Sequence, residues 1–262
     1  QDRRSQTLIL DKFKIPTLPW FEFFPEQISA MKDRPELVIK KRRFGYDGNG
    51  TYFLKPKQEP KLPTDSNGFI AEPRIKFDRE LAFLAARNSD GEVVFFPLVE
   101  HQAENSKLLW AKGPAKNTKL SQLQSQLNKM LSSLNYVGVM GVELFESKGQ
   151  LWVNELAPRV HNTGHYSMDA LDIDQFKMHW LCGLGGKLQT PKALTKGFAI
   201  YNLLGSSTQT PSWNLSQAEI FLHWYGKSEN RLGRKMGHIN AIDKTPELAL
   251  KKLKASRKIF RL

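Results

Sequence analysis

The order of apolar and polar residues predicts a chain of mixed strands and helices. Strand-like runs rich in Val, Ile, Leu and Phe are bounded by turn-forming residues. These runs are LVIKKRRF, TYFLK, FIAEPRI, RELAFLAAR, EVVFFPLVE, KGFAIYNLLG and AEIFLHWYG. Helical patterns occur over residues 5–13 and in LSQLQSQLNKMLSSLN, DIDQFKMHWLCGLGG and PELALKKLKASRKIFRL. Because strands and helices do not alternate strictly, we expect an α+β fold and not a doubly wound sheet.

A hairpin predicted in residues 138–157 carries two acidic residues within otherwise apolar strands. Its two runs are joined by the turn signal SKGQ. A three-residue loop would place Glu143 directly opposite Glu155, whereas a two-residue loop would place it opposite Asn154. Facing side chains on paired strands are ~5 Å apart, and like charges there are destabilising. The first register therefore requires something that neutralises the carboxylates, and a divalent cation bound by phosphate would do so.

Composition is that of an ordinary globular chain, with a strong excess of positive charge. The 262 residues are 40% hydrophobic and carry a net charge of +13. No run approaches the ~20 apolar residues of a membrane span. The N-terminal residues lack a signal-peptide pattern, and the single cysteine, Cys182, fits a reducing compartment. We therefore expect a cytoplasmic protein without a membrane partner.

Positive charge is concentrated near the C-terminus. Residues 225–262 contain eleven Lys and Arg against three Asp and Glu, a net charge of +8. This excess fits a solvated basic helix whose apolar side packs on the core. It also fits binding of an anionic small molecule or of nucleic acid. Because no nucleic-acid motif accompanies it, we expect no nucleic-acid partner.

Two segments in the first third of the chain are candidates for nucleotide binding. KKRRFGYDGNGTYF places three glycines after four cations, and glycines let backbone N–H groups approach a phosphate. It is not a Walker A loop. The alternative is a tight hairpin turn preceded by basic residues. FIAEPRIKFDRELAF offers Glu72 and Glu80, which could meet a nucleoside or could both be solvated.

Two polar segments in the second half are candidates for binding oxyanions. NELAPRVHNTGH follows a strand with hydrogen-bond donors and one acid. His161 and His165 have the H-x₃-H spacing of zinc ligands, but no further Cys or His pair completes a set, and Arg and Asn suit a planar oxyanion better. YGKSENRLGRKMGH sets Lys227, Arg231, Arg234 and Lys235 around a glycine turn. It is either a phosphate clamp or a solvated basic loop.

Taken together and in this order, these segments resemble the N5-carboxyaminoimidazole ribonucleotide synthetase family of the ATP-grasp superfamily. The match is carried by KKRRFGYDGNG, GVMGVELF, GQLWVNELAPRVHNTGHYSMDA, NLLG, HWYGK and RLGRKMGH. The resemblance implies ATP held between two antiparallel sheets and phosphorylation of bicarbonate to carboxyphosphate. It implies that this intermediate, or CO₂ released from it, carboxylates the N5 amine of aminoimidazole ribonucleotide in purine biosynthesis.

The resemblance also implies a role for individual residues of this chain. Mg²⁺ is expected on Glu143 and Glu155. Bicarbonate is expected on Arg159 and Asn162, and the ribonucleotide on Tyr46 and Asp47, which makes these four the catalytic candidates. Further substrate contacts, including the ribonucleotide phosphate, are expected from His161, Lys227, Arg234 and Lys235. Contacts to ATP are expected from Arg3, Lys40, Gly45, Gly48, Gly50, Glu72, Glu80, Asn154 and Glu155.

The family pattern further predicts a domain organisation. Residues 1–14 would end a preceding segment, 15–80 would form the ATP-grasp lid, 81–190 its core and 191–262 a small C-terminal β/α domain. The family begins with a Rossmann-like domain that is expected to be missing here, and the full-length protein is expected to be a homodimer. The family's histidine after PLVE falls on Ala103, so His101 is the candidate to supply that ATP contact.

Two other functions compete with the carboxylating ligase. One is a catalytically silent module that keeps the fold and binds nucleotide or a partner. The other is a related ligase acting on a formyl or amino-acid acceptor, against which the basic RVHN segment argues. The retained Glu143, Glu155, Lys40 and Arg159 favour the ligase.

Overall fold

Helices and strands follow one another in a computed structural model that describes residues 2–26, 34–45, 48–57, 62–63, 65–104, 106–206, 211–214 and 219–262. The α-helices in these residues are α1 (Arg3–Lys12), α2 (Leu120–Ser133), α3 (Ser167–Ala170), α4 (Gln175–Gly183) and α5 (Pro246–Ser256). Side chains cap several of them: Asp2 caps α1, Asp174 caps α4 and Thr245 caps α5. Among the described helices, none is long and apolar enough to cross a bilayer.

The N-terminal sheet contains four antiparallel strands. They are β1 (Phe21–Phe23), β2 (Leu37–Lys41), β3 (Thr51–Leu54) and β4 (Phe69–Pro73), in the order β1-β4-β2-β3. The sheet has a small core of its own, formed by Phe23, Leu37, Ile39, Leu54, Phe69 and Ala71. Lys40 and Glu72 lie on neighbouring strands at the opposite face from the Ile39 side chain.

The large sheet contains nine strands within the described residues, and every pairing between them is antiparallel. Its order is β10-β9-β5-β7-β8-β11-β13-β12, with β6 paired to the other end of β5. The strands are β5 (Arg79–Arg87), β6 (Val93–Phe95), β7 (Val99–Glu104), β8 (Lys107–Gly113), β9 (Gly138–Ser147), β10 (Gln150–Ala157), β11 (Gly197–Leu204), β12 (Phe221–Trp224) and β13 (Lys235–Asp243).

One strand prediction is wrong. EVVFFPLVE was expected to be a single strand but forms β6 and β7, with a break at residues 96–98. Pro97 has no N–H to donate to a ladder, so the chain leaves β5 there and rejoins it two residues later. The Pro97 carbonyl instead accepts a hydrogen bond from Tyr166 at 3.1 Å.

Strand β5 is buried on both faces, which explains its almost continuous apolar sequence. Leu81 and Phe83 pack in a core with α1 and α2, whereas Ala82 and Leu84 face a second core with α3 and α4. Neighbouring β9 follows the same alternation, so Glu143, which pairs with Ala82, points to the α3/α4 side. Glu143 therefore lies on the face of the large sheet that is covered by α3 and α4, the helices that follow β10.

The C-terminal helix α5 packs on β11 and β13 through Leu250 and Leu253. This agrees with the prediction of a basic helix whose apolar side is docked. β11 pairs directly with β8, so the predicted core and C-terminal domains share one continuous sheet. The four predicted domains stay predictions. The continuous sheet does not mark a boundary at residue 190.

Candidate active site

A cavity of about 720 Å³ lies between the N-terminal sheet and the large sheet. Many of the predicted site residues line it together, although they come from distant parts of the sequence. From the N-terminal side these are Arg3, Lys40, Gly45, Gly48 and Glu72. From the large sheet and the segments beside it they are Glu80, Glu143, Asn154, Glu155, Arg159, His161 and Lys235.

The two acids of the hairpin face each other, although the loop length alone predicts a different register. The loop has two residues, since Ser147 pairs with Gln150. That register would put Asn154 opposite Glu143, but a bulge between Val153 and Glu155 shifts it by one residue. Glu143 therefore pairs with Glu155, and both carboxylates point into the cavity.

The hydrophobic pattern of β10 contains the signal for this bulge. Leu151 and Val153 are two residues apart and both pack in the α1/α2 core, but the next core residue is Leu156, three residues on. The alternation slips by one position at Asn154, which keeps Leu156 in the core and moves Glu155 to the opposite face.

Electrostatic repulsion and burial act together on Glu143. Burial, followed by the negative charges of Glu155 and Glu80, raises the pKa of Glu143 to about 7, against the smaller opposing effects of Arg3 and Lys40. The side chain keeps 27% exposure because it opens to the cavity. Burial also raises the pKa of Glu80. Burial and mutual repulsion thus disfavour full ionisation of these carboxylates.

Cations from the N-terminal side cross the cavity to polar groups on the large sheet. Arg3 Nη2 lies 3.0 Å from Glu155 Oε2. Lys40 Nζ donates to Glu72 Oε2 at 2.6 Å and to Asn154 Oδ1 at 3.1 Å. The side chains of Lys40 and Glu72 are only 10% and 7% exposed, so this ion pair is largely shielded from solvent. These contacts leave two cations beside the acid pair, where phosphate groups would also fit.

His161 lies flat against β9 because Gly141 has no side chain. A Cβ atom at Gly141 would come within 2.7 Å of the His161 ring. The ring Nδ1 is 2.8 Å from Thr163 Oγ1, and Nε2 is 3.4 Å from Glu143 Oε1. Burial, and next the charge of Arg159, lowers the pKa of His161 to about 3. The ring is therefore neutral near pH 7, with Nδ1 beside the Thr163 hydroxyl and Nε2 facing Glu143.

Aromatic residues at one end of the cavity were not among the predicted site residues. Phe77 and Phe145 stack with ring centroids 4.7 Å apart and both line the cavity. Ile75 and Leu108 extend this apolar wall. Nothing in the sequence separates these side chains from ordinary core residues, because the surface that they share is formed by two separate segments.

Ala103, within β7, was predicted as a departure from the family pattern. Ala103 and His101 both line the cavity, on either side of a register shift in β7. Burial lowers the pKa of His101 to about 4, so this ring is neutral near pH 7. His101 is thus placed to contact a ligand in the cavity, and its assignment to ATP stays a prediction.

The remaining predicted residues lie elsewhere. Gly50, Asn162, Lys227 and Arg234 are not among the residues that line the cavity. The Asn162 amide is buried and has no hydrogen-bond partner among the described residues. Lys227 donates to the Lys235 carbonyl at 2.6 Å, and Arg234 donates to the Glu229 carbonyl at 3.0 Å. Lys227 therefore contacts Lys235, which lines the cavity, and Arg234 precedes it in the chain.

Two predicted residues lie outside the described chain, and the zinc-ligand spacing of His161 and His165 was an alternative that the sequence analysis did not favour. Tyr46 and Asp47 lie outside the described residues. His161 and His165 do not form a zinc site, since the described residues contain no group of three His, Cys, Asp or Glu side chains arranged to hold a metal. His165 instead contacts Gln175 at 2.7 Å and stacks on His238 with ring centroids 4.9 Å apart.

Glu143 and Glu155 fit a divalent cation that is shared with a phosphate ligand. Mg²⁺ is commonly held by one or two carboxylates, with phosphate oxygens and water completing its shell. Two opposed carboxylates meet that requirement. Burial, and next the repulsion of Glu155, raises the pKa of Glu143, and a cation would offset both effects.

Comparison with known protein families agrees with this geometry. A model of the ATP-grasp domain matches residues 8–176, and a model described as phosphoribosylaminoimidazole carboxylase C-terminal domain matches residues 199–252. The chain is 37% identical to N5-carboxyaminoimidazole ribonucleotide synthase of Escherichia coli over 249 residues, covering 92% of this chain and 69% of that protein. This chain belongs to the N5-carboxyaminoimidazole ribonucleotide synthase family.

Other members of the family are similar over the same region. The Haemophilus influenzae synthase is 35% identical over 257 residues, covering 91% of this chain and 67% of that protein. This chain thus spans about two thirds of the length of these relatives. The Thermus thermophilus synthetase structure aligns with a TM-score of 0.84 at 30% identity, over 99% of this chain and 72% of that one.

A Staphylococcus aureus synthetase structure complexed with ADP also aligns. Its TM-score is 0.83 at 28% identity, over 98% of this chain and 71% of that one. The predicted α+β ATP-grasp fold and family membership are confirmed. The roles of individual residues remain predictions, because they are inferred from the cavity and not from a bound ligand.

Proposed function

We propose that this chain uses ATP and bicarbonate to carboxylate 5-aminoimidazole ribonucleotide, giving N5-carboxyaminoimidazole ribonucleotide in purine biosynthesis. The observation that carries the proposal is the opposed pair Glu143 and Glu155 in a cavity that also holds Arg3 and Lys40. The product is that named for relatives 35–37% identical to this chain. The paired acids and cations are the groups that phosphoryl transfer requires, because such catalysis consists mainly of positioning and charge stabilisation.

ATP occupies the length of the cavity in this proposal. Phe77, Phe145 and their apolar neighbours offer a surface for the base, and Glu80 lies near enough to meet the ribose. Lys40, Arg3 and the backbone of Gly45 and Gly48 surround the phosphates. ADP bound to the similar Staphylococcus aureus synthetase supports a nucleotide in this family's fold.

Glu143 and Glu155 would hold Mg²⁺ in this proposal, at the position where nucleotide phosphates would lie. When bound, it neutralises charge on the phosphates and polarises the γ-phosphoryl group. Arg3 and Asn154 keep the Glu155 and Lys40 side chains in place through the contacts at 3.0 and 3.1 Å. The chain's own residues thereby keep the acid pair oriented toward the phosphates.

Bicarbonate binds beside Glu143 in this proposal, on Arg159, His161 and Lys235. These three donors line the same cavity, whereas the Asn162 amide that was predicted for this role does not. The neutral His161 ring adds an N–H donor without adding charge. A bicarbonate oxygen attacks the γ-phosphorus, the bond to the ADP oxygen breaks, and carboxyphosphate forms.

Carboxylation completes the proposed sequence. The lone pair of the ribonucleotide amine forms a bond to the carboxyl carbon of carboxyphosphate, or to CO₂ released from it. The C–O bond to phosphate breaks, and the amine proton passes to the departing phosphate. Lys227 contacts the cavity residue Lys235 and Arg234 precedes it in the chain, so both remain our candidates for the ribonucleotide phosphate. The homodimer and the expected lack of nucleic-acid and membrane partners also stay predictions.

Replacement of Glu155 tests the proposal. We expect the chain to release ADP from Mg·ATP in a bicarbonate-dependent way, and Glu155→Gln to lower kcat on the order of a hundredfold, as removal of electrostatic transition-state stabilisation does elsewhere. ADP release is measured with and without bicarbonate and ribonucleotide, and the product is identified by mass spectrometry.

Glu219→Gln is the matched control, because its side chain is 85% exposed and remote in sequence from the cavity residues. It should turn over like the parent chain. Parent chain that releases no bicarbonate-dependent ADP would contradict the function, and Glu155→Gln at the parent rate would contradict the metal assignment.

A further inference from the structure

We propose that Gln175 is a positioning residue for His161 and thereby sets bicarbonate affinity. This inference rests on the proposed function only in its kinetic consequence. Gln175 is the first residue of α4 and is fully buried, although it carries a polar side chain. Buried polar side chains are retained where their hydrogen bonds are satisfied, so its partners indicate what it holds.

The Gln175 amide pairs with both backbone groups of His161. Its Oε1 accepts from the His161 N–H at 2.8 Å, and its Nε2 donates to the His161 carbonyl at 2.9 Å. This is the pattern that a neighbouring strand would supply to a paired residue. Nε2 also lies 2.7 Å from His165 Nδ1, so the same amide joins the two histidines of the segment.

The segment that carries His161 needs such support because it lies outside the sheet. β10 ends at Ala157, and a short 3₁₀ turn begins at Asn162. The His161 N–H is held by Gln175 alone among the described contacts, whereas its carbonyl also accepts from Gly164 N at 3.0 Å. Without the amide, a buried N–H donor would lose its partner, and the backbone would move to recover one.

Neighbouring residues fix the Gln175 amide in one place. Its own backbone N–H donates to Ser167 Oγ at 3.0 Å, and Ser167 donates to the Gly164 carbonyl at 2.6 Å. A Cβ atom at Gly164 would approach Gln175 Oε1 to 2.9 Å, so a glycine there leaves room for the amide. Gln175 is therefore held before it contacts His161, as a positioning group requires.

The consequence of this arrangement appears at the ring of His161. The ring is set between Gly141, Thr163 and Glu143, with its Nε2 3.4 Å from the Glu143 carboxylate. A shift of the His161 backbone would move the ring across Gly141 and away from Glu143. Arg159, two residues earlier, would move with the same segment. Displacements of about 1 Å at a site can change rates or affinities by tenfold to a hundredfold.

Two substitutions and a control on the same helix test this inference kinetically. Gln175→Met keeps the length of the side chain but removes its polar contacts to His161 and His165. Gln175→Glu keeps only an acceptor for the His161 N–H. We expect Gln175→Met to raise the KM for bicarbonate by about tenfold or more while the KM for ATP stays within about twofold. Gln175→Glu should give a smaller rise. Lys177→Gln, whose parent side chain is 76% exposed, should match the parent chain.

A spectroscopic measurement tests the same inference without relying on activity. In ¹⁵N-histidine-labelled protein, the ring resonances assigned to His161 by their loss in His161→Gln should shift in Gln175→Met and not in Lys177→Gln. A lower melting temperature without a change in bicarbonate KM and ring resonances would show a merely structural role and overturn the inference. Should Gln175→Met fail to fold, unchanged KM and resonances in Gln175→Glu would overturn it equally. A parent chain without bicarbonate-dependent turnover would overturn the proposed function, while the ring resonances still decide the role of Gln175.

Discussion

At the scale of single residues, the site brings together carboxylates whose ionisation is disfavoured by burial and by mutual repulsion. Glu143 and Glu155 are opposed across the hairpin, and Glu80 adds to the negative charge that Glu143 experiences. Arg3 pairs with Glu155, so Glu143 is the member of the pair without a close cation of its own among the described residues. Its ionisation is therefore the step that a bound cation would assist, and its protonation is a measurable property of the ligand-free protein.

Glu143→Gln should stabilise the ligand-free protein at alkaline pH. The folded pKa of Glu143, about 7, lies above its ordinary value of 4.5, so the folded state binds the proton more tightly than the unfolded state. Stability of the parent chain therefore falls as pH rises from 4.5 to 7, and the variant escapes this loss. We expect the variant to gain about 1–3 kcal/mol at pH 8 and little near pH 4.5, measured by urea unfolding without nucleotide.

Glu104→Gln, at an exposed position of β7, controls for the loss of one negative charge. Addition of Mg·ADP should reverse the order, because the parent chain gains a cation ligand that the variant lacks. An equal difference between parent and Glu143→Gln at pH 5 and pH 8 would contradict the elevated pKa.

The site residues that sequence inspection identified are those whose chemistry is unusual for their surroundings. Glu143 and Glu155 interrupt apolar strands, and Arg159 follows a strand in a cluster of donors. Gln175 and Phe145 were missed because a buried amide and a strand phenylalanine look like ordinary helix and core residues. Their contribution depends on partners more than ten residues away, which a single sequence does not reveal.

At the scale of elements, the β9–β10 hairpin shows how a turn and a bulge together set a register. Lys148 and Gly149 both have positive φ, 51° and 74°, as a two-residue type I′ turn requires. The turn alone would oppose Glu143 to Asn154, and the bulge at Asn154 corrects this. The sequence predicted the hairpin but not its register, because one extra residue changes the pairing without altering which residues favour strands. The slip in apolar alternation before Leu156 was the available signal.

Lys148→Asn should stabilise the hairpin and the protein. A left-handed backbone costs an ordinary L-residue about 1–2 kcal/mol, whereas Asn adopts it readily and Asn-Gly is a preferred type I′ pair. We expect a gain of about 0.5–1 kcal/mol, observed as a higher melting temperature.

Lys148→Val supplies the opposite change at the same position, since a β-branched side chain disfavours positive φ. The Lys148 backbone N–H bond to Asp78 Oδ2, at 2.7 Å, is available in both variants, so it does not confuse the comparison. A lower melting temperature for Lys148→Asn than for Lys148→Val would show that the turn is not the one described.

At the scale of the whole molecule, the two sheets differ in how they are stabilised. The large sheet is covered by helices and carries three apolar cores, whereas the N-terminal sheet has one small core of its own. Contacts between the sheets at the cavity are polar, such as Lys40 to Asn154, and α1 joins them at one edge through the Arg4–Glu22 pair. Sequence patterns located most strands of both sheets but missed β1, β8 and β13. They also did not reveal this division, because it depends on which faces pack together.

We expect the N-terminal sheet to open more readily than the large sheet, and a bound nucleotide to reduce the difference. Local opening is easiest where few apolar side chains are buried, so amides of β2 and β4 should exchange with solvent at least about tenfold faster than those of β5 and β9. Hydrogen–deuterium exchange with mass spectrometry, with and without Mg·ADP, measures this.

Because phosphates between Lys40 and the acid pair would join the two sheets, Mg·ADP should slow exchange in β2, β4 and the cavity end of β9. Peptides from α5 serve as the internal control, since this helix packs in a separate core and should not respond. Equal protection of β4 and β5 without nucleotide, or protection by Mg·ADP confined to the large sheet, would contradict a cavity whose two walls are joined by the ligand.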